Sequence, residues 1–172
     1  MEIRLVTQDD AGRLASYYKT NAGHFAPWQP ARESGYFSVE SLRMRLAEYE
    51  QLHQSGSAAH FIGLTSDQVI AHCSLTNVVY GSFRACFMGY GVSEEHEGTG
   101  AMTKVCKVAI NYAFSQLKLN RVMANYMPRN ERSGKLLDKL GFCREGLAKK
   151  YLKINGRWED HILTSLINTA EL

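Results

Sequence analysis

Long apolar runs, paired histidines and spaced cysteines are all missing from this 172-residue chain, and each absence excludes a class of protein. No stretch approaches the roughly 20 apolar residues that span a bilayer, so no membrane partner is expected. The first residues, Met1-Glu-Ile-Arg-Leu-Val, hold no apolar signal-peptide core. Cys73, Cys86, Cys106 and Cys143 show no CxxC spacing and lie in apolar segments. They predict free core thiols in a reducing, cytoplasmic setting, not a disulfide framework. The six histidines form neither HxxxH nor HExxH, so no metal is expected. Net charge is only +3, too little to imply nucleic-acid or membrane binding by itself. Repeats, low-complexity tracts and linkers are absent too, and the length fits a single domain spanning 1–172.

What is present is an ordinary globular composition, 45% hydrophobic and 22% charged, with clear periodicity. Glu2 to Val6 alternates as a first strand, and Asp9 and Asp10 open a helix with Ala11, Leu14, Ala15 and Tyr18 on its apolar face. A loop from Asn21 to Pro30 follows, carrying two of the three prolines with Phe25 and Trp28. Ser38 is the expected N-cap of a helix reaching Gln54, with Leu42, Leu46 and Tyr49 on one stripe. Ala58–Leu64 and Val69–Leu75 form a hairpin about Ser66-Asp67, and Arg84–Val92 is the next strand. A helix from about Gly98 to Lys118 buries Ala101, Val105, Val108 and Tyr112. Then come a strand, Arg121–Met127, and a helix, Glu131–Leu140, stopped by Gly141 in the left-handed conformation. Two last strands, Lys149–Ile154 and Trp158–Leu166, flank a turn at Asn155-Gly156. This order gives an α/β (α+β) fold, a mixed sheet that is mainly antiparallel at first.

The most informative stretch is Val92-Ser-Glu-Glu-His-Glu-Gly-Thr-Gly-Ala-Met102, where strand gives way to helix. Gly98 and Gly100 allow close backbone approach, and the first N–H groups of the helix lack intrahelical partners. With the positive end of the helix dipole they suit a pyrophosphate. An ordinary turn or cap has the same spelling. The dinucleotide fingerprint is excluded because Thr103 stands where its third glycine belongs, and a P-loop because Ala101-Met102 follows Gly100.

Gly98-Thr-Gly100, a strand, then Asn130-Glu-Arg-Ser133 and Leu140-Gly-Phe142 together resemble the GNAT superfamily of acetyl-CoA-dependent N-acetyltransferases. In that superfamily the turn reads Q/R-x-x-G-x-G/A and the later helix N-x-x-A/S-x-x-L-Y-x-x-x-G-F. Gly81-Ser-Phe-Arg-Ala-Cys86, Ala124-Asn-Tyr-Met-Pro128, Arg132-Ser-Gly134 and Asn155-Gly-Arg-Trp-Glu-Asp-His161 narrow the resemblance to the RimJ/RimL-like, ribosomal-protein-alanine branch. Two positions depart from the pattern. Glu95 replaces the Q/R, and Leu137 replaces the tyrosine that protonates the departing thiolate.

The resemblance implies a GNAT-like, mostly antiparallel central sheet flanked by helices, acetyl-CoA as co-substrate, no metal, and direct amine attack on the thioester. Glu97, Gly98, Thr99, Gly100, Ala101, Met102 and Thr103 would hold the pyrophosphate, with Tyr90 and Gly91 beside the cofactor. A Val92 N–H freed by splaying of its strand would face the thioester oxygen; the other reading is a core residue with a paired backbone. Asn130 would bind the pantetheine arm, cap its helix, or do both. Ser133 replaces the missing acid or is simply solvated. For the base, Glu94 and His96 stand beside a chain of waters, or form a solvated loop face. Phe25, Trp28 and Tyr126 would wall the acceptor pocket, or in the loop's case cover the core.

Lys149, Lys150, Lys153, Arg157, Arg129 and Arg132 meet the 3′-phosphate of coenzyme A, ribosomal RNA, or only water. The expected partner is the N-terminus, alanine or serine, of a ribosomal protein. Nucleic acid enters only indirectly through the ribosome, and the protein is a monomer or weak dimer. Two other readings stand beside this one: acetylation of a small-molecule amine, and a catalytically silent acyl-CoA-binding or ribosome-interaction module.

Overall fold

The computed structural model describes residues 1–170. Strands β1 (Glu2–Leu5), β2 (Ala59–Thr65), β3 (Gln68–Val79), β4 (Ala85–Val92), β5 (Arg121–Tyr126), β6 (Cys143–Ile154) and β7 (Arg157–Ile167) form one sheet in the order β1-β2-β3-β4-β5-β7-β6. Every neighbouring pair is antiparallel except β4 with β5. That crossover contains helix α4 (Ala101–Ser115), as a parallel connection requires.

Helices cover both faces. On one, α1 (Ala11–Thr20) and α3 (Val39–Gln54) lie over Ile62, Leu64 and Val69, with Leu14, Tyr17, Leu42 and Leu46 buried between. On the other, α4 and α5 (Glu131–Leu140) bury Val105, Cys106, Ala109 and Leu137 against Phe61, Cys73, Leu75, Cys86 and Val122. A one-turn helix α2 (Ala22–Phe25) stands in the segment expected as loop. Ser38 caps α3, its side chain accepting from the Ser41 N–H at 3.2 Å. Gly141 ends α5 at φ +89°, and Asn155 and Gly156 both take positive φ, as a two-residue hairpin turn demands.

Asp10 fastens β1 to α1. Its side chain is fully buried and accepts from both Nη atoms of Arg4 at 2.7 Å and from the Thr7 N–H at 2.9 Å. Burial alone would raise this carboxyl, but the Arg4 guanidinium and the Thr7 N–H outweigh it and hold it below the ordinary value.

Four sequence expectations change. Tyr17, not Tyr18, is the buried tyrosine of α1. Helix α4 begins three residues later than expected because Gly98 and Gly100 both adopt left-handed backbone, and it buries Ala109 and Ala113 while Val108 is 38% exposed. Strand β6 starts at Cys143, six residues early, because pairing with β7 extends to Ser165. Cys143 is therefore on an edge strand and exposed; the other three thiols are buried. Among the described residues, no helix is long and apolar enough to cross a membrane and no cluster of ligands could hold a metal.

Candidate active site

Strand β4 is paired along its length on one edge and for three residues on the other. It follows β3 as far as Ala71↔Val92, but its pairing with β5 stops at Phe87↔Met123. The two strands then separate. The Ser93 N–H donates to Ile70 O at 2.8 Å on the β3 side. Alternation along an extended strand therefore turns the Val92 and Tyr90 N–H groups into the gap. Val92 is thus not backbone-paired like an ordinary core residue.

The glycine turn lies at the mouth of this gap. Gly98 (φ +73°) and Gly100 (φ +81°) leave open space where a Cβ would stand. No protein carbonyl takes the N–H groups of Gly98, Gly100, Met102 or Thr103 among the described residues. Thr99 turns its hydroxyl inward, donating to His96 O at 2.8 Å and accepting weakly from the Ala101 N–H at 3.4 Å. Glu97 would repel an anion here, but its carboxylate is paired with Arg132 and lies 3.6 Å from His24 Nε2.

Across the gap stands the start of α5. Asn130 caps the helix, accepting from the Ser133 N–H at 3.2 Å, and Ser133 Oγ lies 2.6 Å from the Tyr90 hydroxyl. Burial pushes the Tyr90 phenol above its usual value, so it stays protonated at neutral pH. The hydroxyl end of the Tyr126 ring packs on Gly134, where an added Cβ would come within 2.9 Å of it. Leu137 lies one turn beyond Ser133 and is 1% exposed, so apolar packing explains that departure from the family pattern.

On the α1 side, Phe25 is buried in the core while Trp28 is half-exposed. Only Trp28 of the two is placed as an outer wall. The Arg129 guanidinium lies 5.0 Å above its ring, donates to Pro27 O at 3.2 Å, and reaches Glu159 at 3.4 Å. The 21–30 segment is thereby clamped to the β6–β7 hairpin. Glu94 is exposed, and its N–H donates to Asn21 Oδ1 at 2.9 Å. His96 Nδ1 lies 2.9 Å from Ser93 Oγ. The Ser93–His96 contact braces the local turn, while the Glu94 carboxylate has no protein partner among the described residues. Arg129 and Arg132 are taken by carboxylates, while Lys149, Lys150, Lys153 and Arg157 are exposed on the hairpin.

The acetyltransferase (GNAT) domain family matches residues 1–143. The chain belongs to the GNAT acetyltransferase family. It is 42% identical to the [ribosomal protein uS5]-alanine N-acetyltransferase of Escherichia coli (strain K12) over 166 residues, 95% of this chain and 86% of the relative. The crystal structure of ribosomal-protein-S5-alanine acetyltransferase from Vibrio fischeri superposes with TM-score 0.94 at 41% identity, covering 97% and 92% of the two chains. Mycobacterium smegmatis RimJ in complex with CoA-disulfide gives TM-score 0.90 at 26% identity over 96% of this chain and 80% of that one.

This GNAT chain has a cradle that fits coenzyme A. Unclaimed amides at a helix N-terminus match a pyrophosphate, and the gap beside β4 leaves polar backbone for an amide-bearing arm. Sequence reasoning missed the Arg129 clamp and, more consequentially, His72. Its ring covers Gly91 from β3, and nothing in a lone histidine on an alternating strand reveals which residue it will face.

Proposed function

We propose that this protein transfers the acetyl group of acetyl-CoA to the N-terminal α-amine, alanine or serine, of a ribosomal protein in the cytoplasm, residues 1–172 acting as one acetyltransferase domain. The observation that carries the acetyl-transfer chemistry is the β4–β5 separation with the Val92 N–H turned into it. The Val92 N–H receives the thioester oxygen as it gains negative charge. The unclaimed amides of Gly98, Gly100, Met102 and Thr103 hold the pyrophosphate, and Asn130, at the head of α5, borders the pantetheine arm. The Ser133 hydroxyl lends a proton to the departing thiolate, and the Tyr90 hydroxyl 2.6 Å away is placed to donate to it in turn. The acceptor is inferred from relatives that act on ribosomal-protein alanine.

The test is transfer from labelled acetyl-CoA into peptides with alanine, serine and methionine N-termini, with spermidine alongside. Transfer to the alanine or serine peptide, abolished by blocking its amine, is expected. Transfer to spermidine alone would move the acceptor to small amines. Tight acetyl-CoA binding without transfer to anything would favour a silent module.

A further inference from the structure

Direct amine attack leaves a proton on nitrogen that a base must take, and Glu94 and His96 lie past the end of β4, in the short turn Glu94–His96. Ala85, Phe87, Gly89 and Gly91 share the β4 face opposite Met88, Tyr90 and Val92, so beyond Phe87, where β5 has separated, that face of the strand offers no side chain. The space above Gly91 is filled from the neighbouring strand: His72 Cε1 comes within 2.5 Å of where a Gly91 Cβ would stand. Gly91 and His72 are register partners, and Gly91 immediately precedes the residue whose N–H points into the gap. His72 Nδ1 is 3.1 Å from the Tyr17 hydroxyl, and its ring is steered by Tyr17, Tyr18 and Phe25 at 5.7, 5.7 and 6.0 Å. Nε2 has no protein partner among the described residues, and the side chain is only partly covered.

We propose that His72 is the catalytic base, its Nε2 taking the proton from the acceptor nitrogen directly or through one water. The assignment rests on the acetyltransferase reading above. The amine lone pair forms the new N–C bond, and the carbonyl π pair moves to oxygen at the Val92 N–H. Nε2 takes the N–H proton, and the C–S bond breaks as C=O re-forms. The thiolate gains one proton at sulfur while His72 returns one to solvent, so the count closes. The base requires the tautomer in which Nδ1–H donates to the Tyr17 hydroxyl, which leaves the Nε2 lone pair outward.

Burial lowers the His72 imidazole to about 4, so it is unprotonated at neutral pH. The titratable groups facing it are Tyr17 and Tyr18 of α1, both pushed upward by burial, while His60 of β2 acts on it through charge and is itself lowered to about 4.

The experiment compares wild type with His72→Gln, His72→Ala, Gly91→Ala and His60→Gln, each checked for native circular dichroism and for coenzyme A binding by calorimetry. With the acceptor peptide that wild type uses, H72Q is expected to lower kcat about 10²-fold with little change in KM for acetyl-CoA. Its acidic limb of kcat/KM should vanish, while H60Q keeps that limb. Added imidazole should restore H72A in proportion to its concentration. G91A, which displaces the ring, should lose activity like H72Q yet still bind coenzyme A. An H72Q enzyme with wild-type kcat and an unchanged acid limb would overturn the assignment. A wild type that acetylates nothing would overturn the underlying reading and this inference with it, a result separable from the first.

Discussion

Ser133 and Tyr90 form a hydroxyl pair at the edge of the gap. Neither is deep enough to be inert, both border the gap, and their oxygens are 2.6 Å apart. Ser133→Ala should lower kcat by about 10²-fold, the usual worth of a positioned acid, with acetyl-CoA binding unchanged. Tyr90→Phe removes one hydrogen bond, worth about 1 kcal/mol, and should slow turnover about 5-fold. In the Ser133→Ala background the tyrosine change should cost almost nothing, because the two act as a unit; steady-state kinetics on the double-mutant cycle tests this. Asp10 is the corresponding residue for stability. Asp10→Asn leaves the half-buried Arg4 with only the exposed Glu2 carboxylate at 3.3 Å and should destabilise the fold by about 3 kcal/mol in urea melts. Its carboxyl is lower in the folded state than in the unfolded state, so its contribution is present above the ordinary carboxylate range. It is lost as pH falls through the folded value, and the mutant's pH–stability curve should lack that acid-side loss.

Helix α4 owes its starting point to two left-handed glycines, and the same geometry creates the anion cradle. At Gly100 a Cβ would touch nothing, so alanine there suffers from conformation and not from crowding. The left-handed region costs an L-residue about 1–2 kcal/mol. Gly100→Ala should therefore weaken coenzyme A binding roughly 5- to 30-fold by calorimetry, with the far-ultraviolet spectrum retained. Wild-type affinity in that variant would detach the turn from cofactor binding. Helix α5 shows another balance: Gly134 costs helix propensity of about 1 kcal/mol, and in exchange the Tyr126 ring comes close to its backbone. Of the three residues expected to wall the acceptor pocket, the fold leaves Trp28 outermost, draws Phe25 into the core and sets Tyr126 under α5.

At the scale of the whole molecule, one long sheet covered on both faces ends at edge strands β1 and β6, and β4 is unpaired on its β5 side beyond Phe87. Cys143 opens β6 and is exposed, whereas Cys73, Cys86 and Cys106 are buried, with burial pushing Cys86 up to about 12. An aromatic disulfide reagent should thus titrate one thiol in the native protein and four in denaturant. More than one fast-reacting native thiol would contradict this packing. The Arg129–Trp28 and His24–Glu97 contacts tie the α1–α2 segment to both the hairpin and the glycine turn, so acceptor wall and cofactor cradle belong to one packed body.

By itself the sequence determined what local chemistry dictates. The Gly98-Thr-Gly100 turn, the Ser38 and Asn130 caps, the Gly141 stop and the Asn155-Gly156 hairpin all follow from backbone preferences of a few adjacent residues. Periodicity placed most strands and helices within a few residues. The family followed from two motif blocks read in order. Tertiary structure alone decided which strand edge lost its partner, and hence which amide faces the gap. It also decided that Tyr90 meets Ser133, 43 residues away, and that His72 fills the space over Gly91. These are matters of register and sheet separation, set by how whole elements pack, and no short stretch of sequence encodes them.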